Sequence, residues 1–291
     1  MNWAGGQATI ENRLGRAGGL DGLHDAGLCQ PDVPVPGLPV LSRSAALLAL
    51  LLQDGTVDLE LTSSVVALDP GLAFGTLQLA NLERNGEGEV WQLPLAVVAA
   101  GCDRLLVMVN SALKVESNYD CGTSARFRRL YLRAVQRACL AEFFASALGN
   151  ANPKQAYVAG LLFGLPGTQG RKASQSRAFS VEASAKLSGT LPARVGIGPS
   201  VTGEEHNAVA ASVLLANGLL ELPENEKAEP SWQMQRLAAS PLWSSREELT
   251  SRERNQLLVQ GSNLAKWAAA NAPRLSPWEF MTRLCRHKSW E

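Results

Sequence analysis

Aspartate disappears from this 291-residue sequence after Asp120, and histidine occurs only as His24, His206 and His287. A hydrolytic metal centre in a helical protein needs clustered imidazoles and carboxylates, because divalent cations want both kinds of donor together. The second half would have to build such a centre from one histidine and glutamates. Glu204 and Glu205, which directly precede His206, form no recognised ligand spacing. Five cysteines (Cys29, Cys102, Cys121, Cys139 and Cys285) contain no C-x-x-C pair, and an odd, scattered set fits a reducing compartment better than a disulfide framework. No G-x-S-x-G elbow is present to present a nucleophilic serine. Cys121 or Cys139 with His206 stays open as a nucleophile–base pair, but nothing in the sequence orients it, and a buried helical cysteine such as Cys139 is usually a small apolar residue.

Long apolar runs are absent too. The longest, "AALLALLL", falls far short of the roughly 20 residues a bilayer requires. The opening "MNWAGGQATIENRLGRAGG" has no basic segment followed by an apolar one, so no secretory signal is read. A soluble, cytoplasmic protein without a membrane partner is expected. Net charge is also missing, since Lys+Arg and Asp+Glu each total 27. The charges are unevenly placed, however. Residues 54–120 hold ten acids against three bases, and residues 121–200 hold eleven bases against two acids. Such asymmetry marks either an anionic partner or two solvated faces that attract each other.

What is present is helical periodicity over a chain that is 46% hydrophobic, enough for a sizeable core. Residues 1–35 are glycine-rich and aperiodic, and read as a flexible arm. "LPVLSRSAALLALLLQ" predicts a first helix with Pro39 in its opening turn. "TVDLELTSSVVALD" follows, then "DPGLAFGTLQLAN", with Asp69 as N-cap and Pro70 at the first helical position. "LERNGEGE" reads as a loop. "VWQLPLAVVAAG" and "DRLLVMVNSAL" predict two short helices parted by Gly101, with Asp103 able to cap the second. "SARFRRLYLRAVQRACLAEFFASALGN" predicts a long helix ended by Gly149 and Asn150. "NPKQAYVAGLLFG" predicts another, capped by Asn152. "GEEHNAVAASVLLANG" predicts one more, stopped at Gly218. Two helical stretches, from "SSREELTSRERNQ" onward and "SPWEFMTRLCRH", complete a chain with no convincing period-2 strand. The fold class is all-α.

Two stretches invite a chemical reading. "GLLFGLPGTQGRK" looks like a phosphate-binding loop, but a P-loop follows a strand and reads G-x-x-x-x-G-K-[ST]. Counting from Gly164, Gln169 stands where the second glycine is needed, and Arg171 follows Gly170. The second stretch is the long helix, where Arg126, Arg129, Arg133 and Arg137 recur at helical spacing. Such a stripe can hold a phosphate bidentately, or be a solvated face paired with the acidic first half. Only Phe127 and Tyr131 are at hand to stack bases, so a nucleic-acid partner is not expected.

Several of these stretches, in this order, resemble the HDOD domain, the non-catalytic relative of the HD-superfamily phosphohydrolases in bacterial signalling proteins. "VPGLPVLSRSAALLALLL" is similar to the family's L-P-x-L-P opening. "LDPGLAFGTLQLAN" is similar to its D-P-x-L…L…A-N helix through Asp69, Pro70, Leu72, Leu77, Ala80 and Asn81. "LPLAVVAAGCDRLLVM" is similar to the next helix, with Ala100 and Gly101 at its L-G turn. "LYLRAVQRACLAEFFA" corresponds to the helix that begins the metal site, which places Arg133 where the first metal-binding histidine would sit. "AYVAGLLFGLPG" corresponds to A-F-L-A-G-L-L-H-D-I-G-K. Ala156, Gly160, Leu161 and Leu162 match, while Phe163 and Gly164 replace the His-Asp pair. "GEEHNAVAASVLL" keeps Gly203, His206, Leu214 and Leu215.

The resemblance implies an HDOD-like helical domain over residues 36–225, followed by a C-terminal helical extension over 226–291. It implies an eroded metal site, no catalysis, no cofactor, and a regulatory role in bacterial signal transduction through a protein partner. Phe163 has no donor atom and Gly164 no side chain, so neither can hold a cation. Arg133, Arg137 and His206 are the candidate ligand-binding residues, for a small anionic ligand. Two other readings stand beside this one. A residual metal-dependent phosphohydrolase would use His206 and Glu205; an anion or nucleotide sensor would use the arginine-rich helix. Trp232, Trp243, Trp267, Trp278 and Trp290 in the extension either form a docking surface or pack on the domain itself.

Overall fold

The computed structural model describes residues 38–53, 58–82, 90–112, 114, 121–149, 151–163, 203–222, 232–246, 248–274 and 277–288. The arm over residues 1–35, the loop after Leu82 and the glycine-rich stretch from Gly164 onward lie outside them. The described residues form eleven α-helices and one 3-10 helix, and among them the only β pairing is an isolated parallel bridge between Val40 and Lys114. The all-α reading therefore holds.

The first helices are set by their caps. Helix α1 spans Ser42–Gln53, so it opens later than the sequence suggested, because Pro39 and Val40 are held extended. Tyr131 Oη–H donates to the Pro39 carbonyl, Leu41 N–H donates to Asp69 Oδ2 at 2.9 Å, and Val40 bridges Lys114. Helix α2, Leu59–Ala67, is capped by Asp58. Helix α3, Pro70–Asn81, is capped by Asp69, whose Oδ1 accepts from the Gly71 and Leu72 amides at 2.9 and 3.1 Å. A Cβ on Gly71 would stand 2.3 Å from the Pro39 carbonyl oxygen, so a glycine is required where the extended entry segment crosses α3. Helices α4 (Leu93–Ala100) and α5 (Cys102–Ser111) meet at Gly101, with φ 77°. Gly101 occupies the cap position of α5, and Asp103 sits in its first turn rather than capping it.

The long helix α6, Cys121–Leu148, is the spine of the second half. It ends at Gly149 in the left-handed region, φ 74°. Helix α7, Pro153–Leu162, starts again under the Asn152 side chain, which accepts from the Lys154 and Gln155 amides. Helix α8 spans Gly203–Glu221 and runs through Gly218 instead of stopping there. A Cβ at Gly218 would lie 3.1 Å from a Leu237 methyl, so this glycine answers to a close neighbour and not to a helix end. Helices α7 and α8 both pack on α6, as does the later helix Ser251–Asn271.

The C-terminal stretch returns to the same core. Helix α9 (Trp232–Ala238) and a 3-10 turn (Pro241–Arg246) precede α10 (Ser251–Asn271), which opens with a Thr250–Glu253 capping box. Helix α11, Pro277–Lys288, packs on α2 near the other end of the sequence. One continuous apolar cluster runs from Val40 to Leu284. Trp243 is fully buried, meets Phe144 edge-on at 6.1 Å and donates its indole N–H to the Leu237 carbonyl at 3.0 Å. Trp267 stacks on Phe280 at 5.2 Å. These two tryptophans pack on the protein itself. The side chains of Trp232, Trp278 and Trp290 lie outside the described residues.

Candidate functional site

The site predicted around Phe163 is built where α6, α7 and α8 converge, and small residues make the convergence possible. Ala134, Ala138, Ala141 and Ala145 of α6 are buried, as are Ala156 and Gly160 of α7. A Cβ on Gly160 would stand 2.9 Å from Ala141 Cβ and 3.0 Å from both Ala138 Cα and the Arg137 carbonyl oxygen. The backbones of α6 and α7 therefore touch. The α7 end is held from two further sides. Tyr157 Oη–H donates to the Ala67 carbonyl at 3.0 Å, and Lys154 pairs with the buried carboxylate of Glu142 at 2.9 Å. Phe163 follows α7 in an extended conformation, φ −65° and ψ 134°, so its carbonyl turns out of the helix and can accept from outside.

Arg137 takes that carbonyl. Its Nη1–H donates to Phe163 O, its Nε–H donates to Asn217 Oδ1 on α8 at 3.2 Å, and its guanidinium carbon lies 5.4 Å from the Phe163 ring centroid. Arg137 is buried, with 8% of its surface exposed. Burial draws its guanidinium down from the ordinary arginine range to about 10; the neighbouring charge of Arg133 pulls the same way and Glu221 opposes it. It remains a cation at neutral pH. One turn earlier, Arg133 pairs with Glu221 at 2.9 Å and reaches the Leu220 carbonyl at 3.4 Å. Of these two arginines only Arg137 is buried, while Arg133 keeps a partly solvated side chain, and the carboxylate that meets Arg133 comes from the end of α8, not from the acidic first half.

Arg133, Arg137 and Phe163 are brought together. His206 stands on α8, eleven residues before Asn217, or about 16 Å along the axis at 1.5 Å per residue. The side chain of His206, those of Glu204 and Glu205, and Gly164 altogether lie outside the described residues. The aromatic pair of the arginine helix is engaged internally. Phe127 and Tyr131 meet edge-on at 6.3 Å, and Tyr131 is buried. Asn217 and Glu221 carried no signal in the sequence beyond lying near a helix end, because their partners on α6 are 80 and 88 residues away.

The described side chains of this site do not make a set of divalent-cation ligands. The position that the resemblance gives to a metal-binding histidine holds Arg133, and among the described residues the groups beside it are a second guanidinium, a phenyl ring, a neutral amide and one carboxylate. Two fixed positive charges repel a third. Among the described residues no group of three or more His, Cys, Asp or Glu side chains converges.

Residues 38–167 match the family model of the HDOD domain. The likeness to that family covers just under half of the chain. The match takes in the Pro39 entry segment, the capped helix at Asp69, the arginine helix and Phe163, and it ends at Gly167. The chain is also similar to the MmoQ response regulator from Methylococcus capsulatus str. Bath, known from a crystal structure. The two are 20% identical, the likeness covers 77% of this chain and 98% of that one, and the TM-score is 0.49. No curated protein matches the chain. Among the described residues no single helix is long and apolar enough to cross a membrane.

Proposed function

We propose that this HDOD protein is a non-catalytic regulatory module of bacterial signal transduction, which acts in the cytoplasm by engaging a protein partner. The observation that carries the reading is the contact of Arg137 with Phe163. A catalytic HD site needs donors that gather a divalent cation; here a covalently attached cation lies against an apolar ring at the corresponding position. The guanidinium supplies positive charge and joins three helices, but it cannot polarise a phosphoryl oxygen as a Lewis acid or lower the pKa of a bound water. What is left is a rigid helical body suited to recognition.

The test is metal content and turnover. The purified full chain is incubated with Mn²⁺, desalted, subjected to elemental analysis and assayed on phosphodiester and phosphomonoester substrates. The expected result is less than stoichiometric metal and no turnover above the buffer rate. Stoichiometric metal with turnover, both lost in His206→Ala, would show a working phosphohydrolase with unorthodox ligands and end the non-catalytic reading.

A further inference from the structure

Arg137 carries its charge into the interior, yet both of its hydrogen bonds end on uncharged oxygens, the Phe163 carbonyl and the Asn217 amide. The carboxylate facing it is Glu221, already bonded by Arg133. Among the described residues of this site, two guanidinium groups therefore share one carboxylate. A cation drawn out of water and incompletely balanced favours an incoming anion. The present occupant is weakly held: the side chains of Arg133 and Glu221 are 43% and 62% exposed, and exposed pairs of this kind contribute little. Arg133 and Arg137 also stand four residues apart on one helix, so their side chains lie one above the other. The Arg133 guanidinium is a planar fork that matches two oxygens of a tetrahedral oxyanion, which a lysine would not do; Arg137, whose Nε and Nη1 already donate to Asn217 and Phe163, adds its charge.

We propose that Arg133 and Arg137 form a binding site for a phosphate oxyanion, in which Glu221 is a placeholder that the anion displaces from Arg133. Arg133 at the rim makes the first contact and Arg137, fixed by Phe163 and Asn217, supplies the buried charge. The proposal deepens the non-catalytic reading and rests on it, because the anion is held by arginine instead of metal. It differs from a purely structural role, in which the two arginines would only tie α6 to the end of α8 through Glu221, Leu220 and Asn217.

The experiment is calorimetric titration of the full chain, before and after EDTA treatment, with inorganic phosphate and with pyrophosphate. The expected result is saturable binding that survives EDTA and weakens with added salt. Arg133→Gln should weaken it by about tenfold or more, as loss of a charge-assisted fork does. Glu221→Gln, which frees Arg133 without adding a charge, should tighten binding by about threefold or more. Arg128→Gln, on the exposed face of the same helix, should stay within about twofold of wild type. Should Arg133→Gln fail to fold by circular dichroism, Glu221→Gln still carries the test. No saturable binding in either wild type or Glu221→Gln overturns the site, as does an equal loss in Arg128→Gln and Arg133→Gln. An unchanged affinity in Glu221→Gln overturns the placeholder. Binding that is present only before EDTA would place the anion on a metal, and so defeat the non-catalytic reading itself.

Discussion

Replacing Gly160 by alanine sets two physical effects against each other. Gly160 is inside α7, where alanine is favoured by about 1 kcal/mol on helix propensity alone. Its new methyl would nevertheless stand 2.9 Å from Ala141 Cβ and 3.0 Å from Ala138 Cα and the Arg137 carbonyl oxygen. Carbon atoms in contact prefer about 3.5–4.0 Å, so α7 must withdraw by several tenths of an ångström. Two of the three obstacles are backbone atoms, and no rotamer change can move them aside. Overpacking of this kind costs about 1–3 kcal/mol. It outweighs the propensity gain, and we expect a net loss of about 1 kcal/mol, or roughly 2–4 °C in thermal midpoint for a chain of this size. Thermal denaturation of Gly160→Ala and of the Gly160→Ala/Ala141→Gly double variant checks the account. The second change removes the nearest obstacle but leaves the two backbone contacts, so recovery should be partial and the two substitutions non-additive. A midpoint that rises in Gly160→Ala would refute the close contact between α6 and α7 and leave only propensity at work.

Two further outcomes follow from single side chains. Burial pushes the Asp69 carboxyl up from 3.8 to about 6, against the pull of the Leu41, Leu72 and Gly71 amides and the Ser44 hydroxyl. Between those pH values the folded chain holds a proton that the unfolded chain has released, so this group's stabilisation is complete below about pH 4 and is lost as pH rises through 6, a change on the order of 3 kcal/mol. Urea midpoints of wild type and Asp69→Asn across pH 4–7 should diverge in that window, and parallel curves would count against the burial. Arg246 reaches from the 3-10 turn to donate its Nε–H to the Ala147 carbonyl at 3.2 Å, closing the end of α6 with a cation where the helix dipole is negative. Arg246→Met should lower stability by about 1 kcal/mol; Arg246→Lys should restore only part of it, and an unchanged melting curve would rule out the cap.

Elements whose boundaries are written in a few adjacent residues were legible from the sequence. Asp69–Pro70 and Asn152–Pro153 start helices because an oxygen acceptor sits before a residue that lacks an N–H, and Gly149 ends one because it adopts a positive φ at little cost. The misreadings share a different cause. Gly218 has the composition of a stop, but Leu237 packs over it and the helix continues. Pro39 has the composition of a helix start, but Tyr131 takes its carbonyl from 92 residues away and Asp69 takes the amide of Leu41. In both places a contact distant in the sequence overrode a local preference worth about 1 kcal/mol or less.

The candidate site divides along the same line. The four-residue spacing of Arg133 and Arg137 and the lack of a side-chain donor atom in Phe163 are local features and could be read directly. What the arginines do depended on Asn217, Glu221 and the carbonyl of Phe163, contributed by two other helices. A sequence stripe of arginine carries the same pattern whether it faces water or a neighbour. What separates the two is the neighbour's surface, and here that surface is set by residues with no side chain of consequence. Gly160 and the buried alanines of α6 let α7 approach until the Phe163 carbonyl meets Arg137. Small residues thus decide which way a charge points. For this reason the Gly160 and Arg133 variants test one arrangement from two sides: the first moves the wall of the site, and the second removes the charge at its rim.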